Sequence, residues 1–223
     1  MADKSQASKA AGRHVVVLCH PGTGSFNHAI AQAYCDTVRW CGQEVVLRDL
    51  YDIGFDPVLK AIERPGPEHP HPLRDVADEI EIIRRSDVLV LIYPIWFGSA
   101  PAMLKGYVDR VLGTGVVPAA IQQQAPTSLL GEQQLVSFTT SAADEAWLDA
   151  QGQQSALNTV FDRYLMHAFG MRGEKHVHFA YITDDLAESA AAHHLTQVKD
   201  EAQRLCVEVA ALHAGAVTQG QPD

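Results

Sequence analysis

The stretch HPGTGSFN, residues 20–27, gathers groups that can hold an anion. It follows an apolar, β-branched run and precedes residues at helical spacing, so it reads as a strand-to-helix turn. Ser25 is placed to cap that helix, and the free N–H groups of a helix start point at whatever lies over the turn. Ser25 adds a hydroxyl, His20 an imidazole, and Asn27 a group that caps or braces a neighbouring loop. Gly22 and Gly24 let a ligand come close to the backbone. The turn matches neither G-x-x-x-x-G-K-[ST] nor G-x-G-x-x-G. Two readings follow: a phosphate or pyrophosphate site, or a connecting turn that happens to contain glycine.

Two more loops carry chemistry. In YPIWFGSAP, residues 93–101, Pro94 ends a buried strand and Ile95, Trp96 and Phe97 follow it. Such aromatics are either core anchors or a flat wall for a planar ring. In the second case the backbone N–H groups of 96–98 would meet the ring edge, with Gly98 and Ser99 keeping the backbone accessible. In TTSAADEAW, residues 139–147, Thr139, Thr140 and Ser141 place hydroxyls at the end of another strand. Trp147 is either core or the cap of a pocket.

The elements that must position these loops follow from periodicity. Short apolar runs at 14–20, 44–50, 87–94, 134–140 and 175–182 read as strands. Helical patterns run from Ser25 to Gly42 and over 75–86, 101–112, 155–171 and 184–214, the last capped by Asp184 or Asp185. Residues 51–73, dense in proline and charge, form a long loop. Five strands alternating with helices imply an α/β fold: a doubly wound, five-stranded parallel sheet with helices on both faces. We expect one domain over residues 13–215, a disordered tail before it at 1–12 and a loose tail after it at 216–223. Ligands of such sheets lie outside the carboxyl ends of the strands, so the three loops should converge. A phosphate site, an aromatic wall and a hydroxyl-lined turn on one sheet edge suggest a flavin nucleotide.

Composition narrows the partners. The 223 residues carry a formal net charge of -10, which argues against nucleic acid or an anionic membrane as main partner. No apolar run approaches bilayer length and the N-terminal residues lack a signal-peptide core, so the cytoplasm is the expected compartment. Cys19, Cys35, Cys41 and Cys206 form no C-x-x-C pair and read as reduced structural thiols. His69 and His71, His176 and His178, and His193 and His194 assemble no full ligand set, so no metal is expected.

The motifs HPGTGSFNHAIA (20–31), RDLYDIGFDPVL (48–59) and DVLVLIYPIWFGSAPAMLKGYVDRVL (87–112) together carry a family likeness. Through them the chain resembles the NAD(P)H:quinone oxidoreductases of the flavodoxin-like superfamily, which include mammalian quinone reductases and bacterial modulators of drug activity. The resemblance implies that His20, Ser25, Phe26 and Asn27 bind the flavin phosphate or pyrophosphate. By the same likeness Pro94, Ile95, Trp96, Phe97 and Gly98 hold the isoalloxazine, and Thr139, Thr140 and Ser141 meet its edge or ribityl chain. FAD is implied over FMN, with NAD(P)H as co-substrate and a quinone or related small aromatic acceptor. The family fold implies a homodimer with both subunits contributing to each site, the 51–73 loop and the 101–112 helix being the interface candidates. Relatives also place an acidic residue at the position of Asp109 near the nucleotide end, although Lys105 and Asp109 fit an ordinary ion pair.

The implied reaction is a two-electron, ping-pong hydride transfer from NAD(P)H through the flavin to a quinone. Other relatives serve as ancillary subunits of potassium-efflux transporters, and nitro- or azo-reduction would share the same flavin half-reaction. The chain departs from the animal enzymes after the two threonines. Ser141-Ala142 stands for their Gly-Gly pair, Trp147 falls where they carry a Tyr, and LDAQGQQS contains no His. The Tyr–His proton relay proposed for those enzymes does not carry over, and no catalytic residue is assigned beyond Trp147 as a pocket candidate.

Overall fold

The protein was described from a computed structural model, which covers residues 12–64, 72–116, 118–122, 130, 131 and 133–218. In chain order the first elements are β1 (Arg13–Leu18), α1 (Phe26–Trp40), β2 (Glu44–Asp49), α2 (Arg74–Arg84) and β3 (Val88–Pro94). Next come α3 (Ala102–Tyr107), which continues as a π-turn over Val108–Leu112, then α4 (Pro118–Gln122) and β4 (Gln134–Thr140). The last part holds α5 (Glu145–Ala150), α6 (Gln153–Leu157), a second π-turn (Asn158–Asp162), α7 (Arg163–Ala168), β5 (Gly173–Phe179) and α8 (Glu188–Thr218).

All strands pair in parallel, as expected from the sequence, in the order β2-β1-β3-β4-β5. Every residue of β3 is buried, which explains its unbroken apolar run: a central parallel strand is covered on both faces. Side chains alternate between two cores. Val15, Val17, Leu89, Leu91, Tyr93 and Leu135 pack against α2, α3 and α7. Val16, Leu18, Val88, Val90, Ile92, Val136 and Phe138 pack against α1 and α8. Cys19, Cys35 and Cys206 are buried, and loss of hydration pushes their thiols up to about 12, 11 and 12.

Three differences from the sequence reading bear on function. Residues 145–150 are helical rather than loop, because Asp144 accepts the Trp147 N–H and caps a short α5. The last helix starts at Glu188, not at residue 184. Residues 183–186 instead form a turn, with Leu186 N–H donating to the Thr183 carbonyl and the Thr183 hydroxyl to Asp185. That helix also runs on to Thr218, past its expected end at 214. Residues 1–11, His69, His71 and residues 219–223 lie outside the described residues. Among the described residues, no helix is long and apolar enough to cross a membrane.

The long loop after β2 is clamped to α3 and its π-turn. Arg110 is 1% exposed and donates to Glu63 (2.7 Å), Asp75 (2.9 Å) and the Asp56 carbonyl (2.5 Å). Its guanidinium also lies 5.3 Å from the centre of the Phe55 ring. At Gly106 the backbone of Pro57 comes so near that a Cβ would meet the carbonyl oxygen at 2.3 Å. Residues 55–63 of this loop are therefore fixed on the body of the protein. Removing the buried cation strands Glu63, itself 5% exposed. Arg110→Met is expected to lower unfolding free energy by about 3–5 kcal/mol, read from urea denaturation. An unchanged denaturation midpoint would mean the clamp carries no net stability.

Candidate functional site

The carboxyl ends of β1, β3 and β4 open onto one cavity of about 700 Å³. All three sequence-predicted loops reach it. His20, Gly22, Gly24, Ser25, Phe26 and Asn27 come from the β1–α1 turn. Pro94, Ile95 and Trp96 come from the loop after β3, and Thr140, Ser141 and Ala142 from the end of β4. The cavity lies where chain order reverses, between β1 and β3.

The α1 end of the cavity presents an N-capped helix start. Ser25 is the N-cap, in extended conformation, and its oxygen accepts the backbone N–H of His28 at 3.4 Å. A Cβ at Gly24 would meet nothing within 4 Å, and one at Gly22 would touch only the His20 ring at 3.4 Å. The His20 Nδ1 is held against the Gly22 backbone, 3.0 Å from its nitrogen and 3.1 Å from its carbonyl. Burial holds the His20 imidazolium below the usual histidine range, with the nearby His28 ring acting in the same sense.

The floor joins two loops far apart in sequence. Asn27 is 3% exposed and donates from Nδ2 to the Thr140 hydroxyl at 2.9 Å. Its Oδ1 is buried without a partner among the described residues. Opposite, Trp96 keeps 40% of its surface exposed, with its ring 6.1 Å from that of His20. Trp96 and Ser99 exchange two backbone hydrogen bonds (3.0 and 3.1 Å) across a tight turn. Phe97 (φ 50°) and Gly98 (φ 78°) occupy the turn's centre, both in the left-handed region.

Four expected residues lie outside the cavity wall. Phe97 is fully exposed at the turn tip, with Gly98 beside it. Trp147 is half-exposed on α5. Thr139 is fully buried on the other face of the sheet from Thr140, as strand alternation requires. It belongs to a hydrogen-bonded chain that ends at the cavity. Asp162, wholly buried, faces His176 Nδ1 at 2.5 Å and accepts the Ser137 hydroxyl. His176 Nε2 meets the Thr139 hydroxyl at 2.8 Å, and Thr139 meets His178 Nδ1 at 2.8 Å. His178 Nε2 meets the Ser141 hydroxyl at 3.1 Å.

A carboxylate only accepts, so with neutral imidazoles it fixes every tautomer in this line. His176 donates from Nδ1, Thr139 donates to His176, His178 donates from Nδ1, and Ser141 donates to His178 (3.1 Å), with the Ala143 carbonyl a longer second acceptor at 3.3 Å. Ser141 therefore presents acceptor lone pairs to the cavity. Burial, followed by the neighbouring His176, lowers the His178 pKa to about 4, which keeps the imidazole neutral for this role. The two histidines that could have been read as a metal pair are spent in this chain.

Sequence reasoning missed Ile182, Thr183, Asp184 and Leu186, which line the cavity from the loop after β5. Tyr181 and Ile182 donate to the carbonyls of Ala143 (2.9 Å) and Ser141 (2.8 Å), which draws this loop to the β4 end. It also missed His28 and Asp49, which stand behind Ser25. The pairing of β2 with β1 carries Asp49 to the carboxyl edge.

Known proteins share this fold. The chain belongs to the family described as flavodoxin-like fold, which it matches over residues 12–205. It is 29% identical over 180 residues to an uncharacterized NAD(P)H oxidoreductase of Haemophilus influenzae, covering 79% of this chain and 89% of that protein. It is 28% identical over 155 residues to NAD(P)H dehydrogenase [quinone] 1 of Cavia porcellus, covering 60% of this chain and 55% of that protein. The matched region thus spans little more than half of that mammalian enzyme. An NAD(P)H:quinone oxidoreductase from Methanothermobacter marburgensis has the same fold, with TM-score 0.73 and 21% identity over 88% of this chain and 98% of that one.

Two outcomes test these details. Above pH 6.5 an unfolded histidine and His178 are both neutral; between 6.5 and about 4 only the unfolded one binds a proton. Stability should therefore fall as pH drops through that window and level off below it. The difference between wild type and His178→Asn, measured by urea denaturation at several pH values, should trace this fall; a flat difference curve contradicts the assignment. Phe97→Asn makes the Asn-Gly pair that the turn favours and removes the left-handed phenylalanine. It is expected to gain about 0.5–1 kcal/mol in stability, and a loss would show that Phe97 is packed in solution.

Proposed function

We propose that the cavity holds a flavin nucleotide and that the chain is a flavin-dependent NAD(P)H:quinone oxidoreductase working by ping-pong hydride transfer. The oxidoreductase class is that of its named relatives. The observation carrying the flavin reading is one cavity with an N-capped helix start, an open indole face and a row of hydroxyl groups in its walls.

The residues fit such a ligand. The cavity is within the roughly 300–1,000 Å³ of small-molecule sites. Ser25 and the first N–H groups of α1 would hold the phosphate end, favoured by the helix dipole. Asn27 Oδ1, buried and unpartnered, would accept a hydroxyl of the sugar chain. Pro94, Ile95 and Trp96 would carry the ring, with Thr140 and Ser141 at its edge. Thr183 and Asp184 add polar groups to the wall, and Asp184 offers a carboxylate that a second ribose would meet. FAD is therefore our choice over FMN.

When bound, the flavin supplies the two-electron hydride chemistry. The chain's own part is to orient and to tune. Trp96 gives stacking area at the mouth, where nicotinamide and quinone would occupy one slot in turn. The helix start and the loop N–H groups stabilise negative charge. Ser141, held by His178, presents an acceptor of fixed direction. We further propose a homodimer whose interface uses Ile53, Val58, Leu59 and Ile62, exposed apolar side chains of the clamped loop.

The test is spectroscopic. Purified protein, as isolated or after incubation with FAD, should show the visible bands of bound flavin. Anaerobic NADPH or NADH should bleach them and a benzoquinone restore them, with parallel double-reciprocal plots in steady state. A chain that neither carries flavin nor takes it up refutes the reading.

A further inference from the structure

Behind Ser25 stands a line of three groups that the anion-binding reading alone leaves unused. The Ser25 oxygen lies 2.8 Å from His28 Nδ1, and His28 Nε2 lies 3.0 Å from Asp49 Oδ2. Asp49 is itself fixed, because its other oxygen accepts the N–H groups of Tyr51 (3.1 Å) and Asp52 (3.4 Å). The His28 and Asp49 side chains are 21% and 16% exposed. The groups facing His28 are Ser25 on its own turn, Asp49 from β2 and His20 from the β1–α1 turn, whose ring stands edge-on with centroids 6.2 Å apart.

A count of protons shows what this line does. The Asp49 carboxylate only accepts, so a neutral His28 keeps its proton on Nε2. Its Nδ1 is then an acceptor, and Ser25 must donate its hydroxyl proton there. In that state Ser25 offers the cavity only lone pairs, which repel an anion. When His28 is protonated, Nδ1–H donates to Ser25 instead, and the Ser25 hydroxyl proton is released toward the cavity. The other neutral tautomer would set the Nε2 lone pair against a carboxylate at 3.0 Å.

We propose that His28 is a positioning residue that makes binding of a phosphate at Ser25 take up one proton. The site thereby distinguishes a phosphorylated flavin from the same ring system without phosphate. The proposal rests on the flavin reading above and adds its proton inventory. The imidazolium also places a second positive group behind the helix start, and Asp49 balances it.

The experiment is calorimetric titration of the full-length protein with FAD between pH 6 and 8.5, in two buffers of different ionisation enthalpy. FAD is the probe because its pyrophosphate stays fully ionised there, whereas a phosphate monoester titrates near pH ~6. Uptake should approach one proton per FAD at the upper end of the range. Affinity should fall there by up to about tenfold per pH unit. Riboflavin should bind without uptake. His28→Gln and Ser25→Ala should each abolish uptake, while His20→Gln should keep it.

Binding of FAD without uptake overturns the proposal, and so does uptake that survives in His28→Gln or disappears in His20→Gln. A second measurement is independent of flavin: the NMR titration of the His28 ring with and without sulfate. A midpoint raised by sulfate in the wild type but not in Ser25→Ala supports the linkage, and an unmoved midpoint overturns it. If neither FAD nor riboflavin binds, the flavin reading falls while the sulfate titration still decides the role of His28.

Discussion

Parallel strands cannot be closed by tight turns, and this constraint governs everything at the carboxyl edge of the sheet. Each strand must hand its chain to a helix that returns over one face or the other. β1 sends the chain into α1, while β3 beside it sends the chain to α3 on the opposite face. The two loops part, and the space between them is the cavity. The hydrogen bond from Asn27 to Thr140 ties the floor of that space across 113 positions of sequence. The cavity is thus a product of connectivity, and the residues in it only decide what it holds.

Two polar chains run back from the cavity wall, and each ends on a carboxylate. One leads from Ser141 through two histidines and Thr139 to the buried Asp162. The other leads from Ser25 through His28 to Asp49. In both, a carboxylate sets the direction of the donors linked to it for a given protonation state of the histidines between. Both therefore decide whether a serine at the wall acts as donor or acceptor. At Ser141 the neutral, half-buried His178 holds one answer. At Ser25 the answer depends on whether His28 carries a second proton.

What could be read beforehand follows from how each feature is encoded. Strands buried on both faces appear as apolar runs, unbroken in β3 and interrupted by Ser137 in β4, which was located over its full span, 134–140. Its two terminal threonines were read as a pair facing one ligand. Period-two alternation allows only one of them to do so, and Thr139 went to the other face. Asp184 was read as a helix cap, yet a turn at 183–186 frees it to line the cavity. That outcome depends on backbone bonds between the loops after β4 and β5, which no local pattern announces. His28 and Asp49 are 21 positions apart, and only the pairing of β2 with β1 brings them together. The first two loops were legible because glycine, serine and tryptophan next to strand ends are unusual enough to stand out.

The buried cysteines acquire a meaning from the proposed substrate. Quinones are electrophiles, and a thiolate adds to them covalently. Three of the chain's four cysteines are shut in the core, with thiols pushed up to about 11 or 12. Cys19 sits one residue before His20, at the very end of the run that leads to the cavity, and is wholly buried. A nucleophile so near the mouth would be arylated by quinones of the proposed kind. Burial just past the end of the first strand keeps it protonated and out of reach, so the packing that shapes the cavity would also protect the protein from the proposed chemistry.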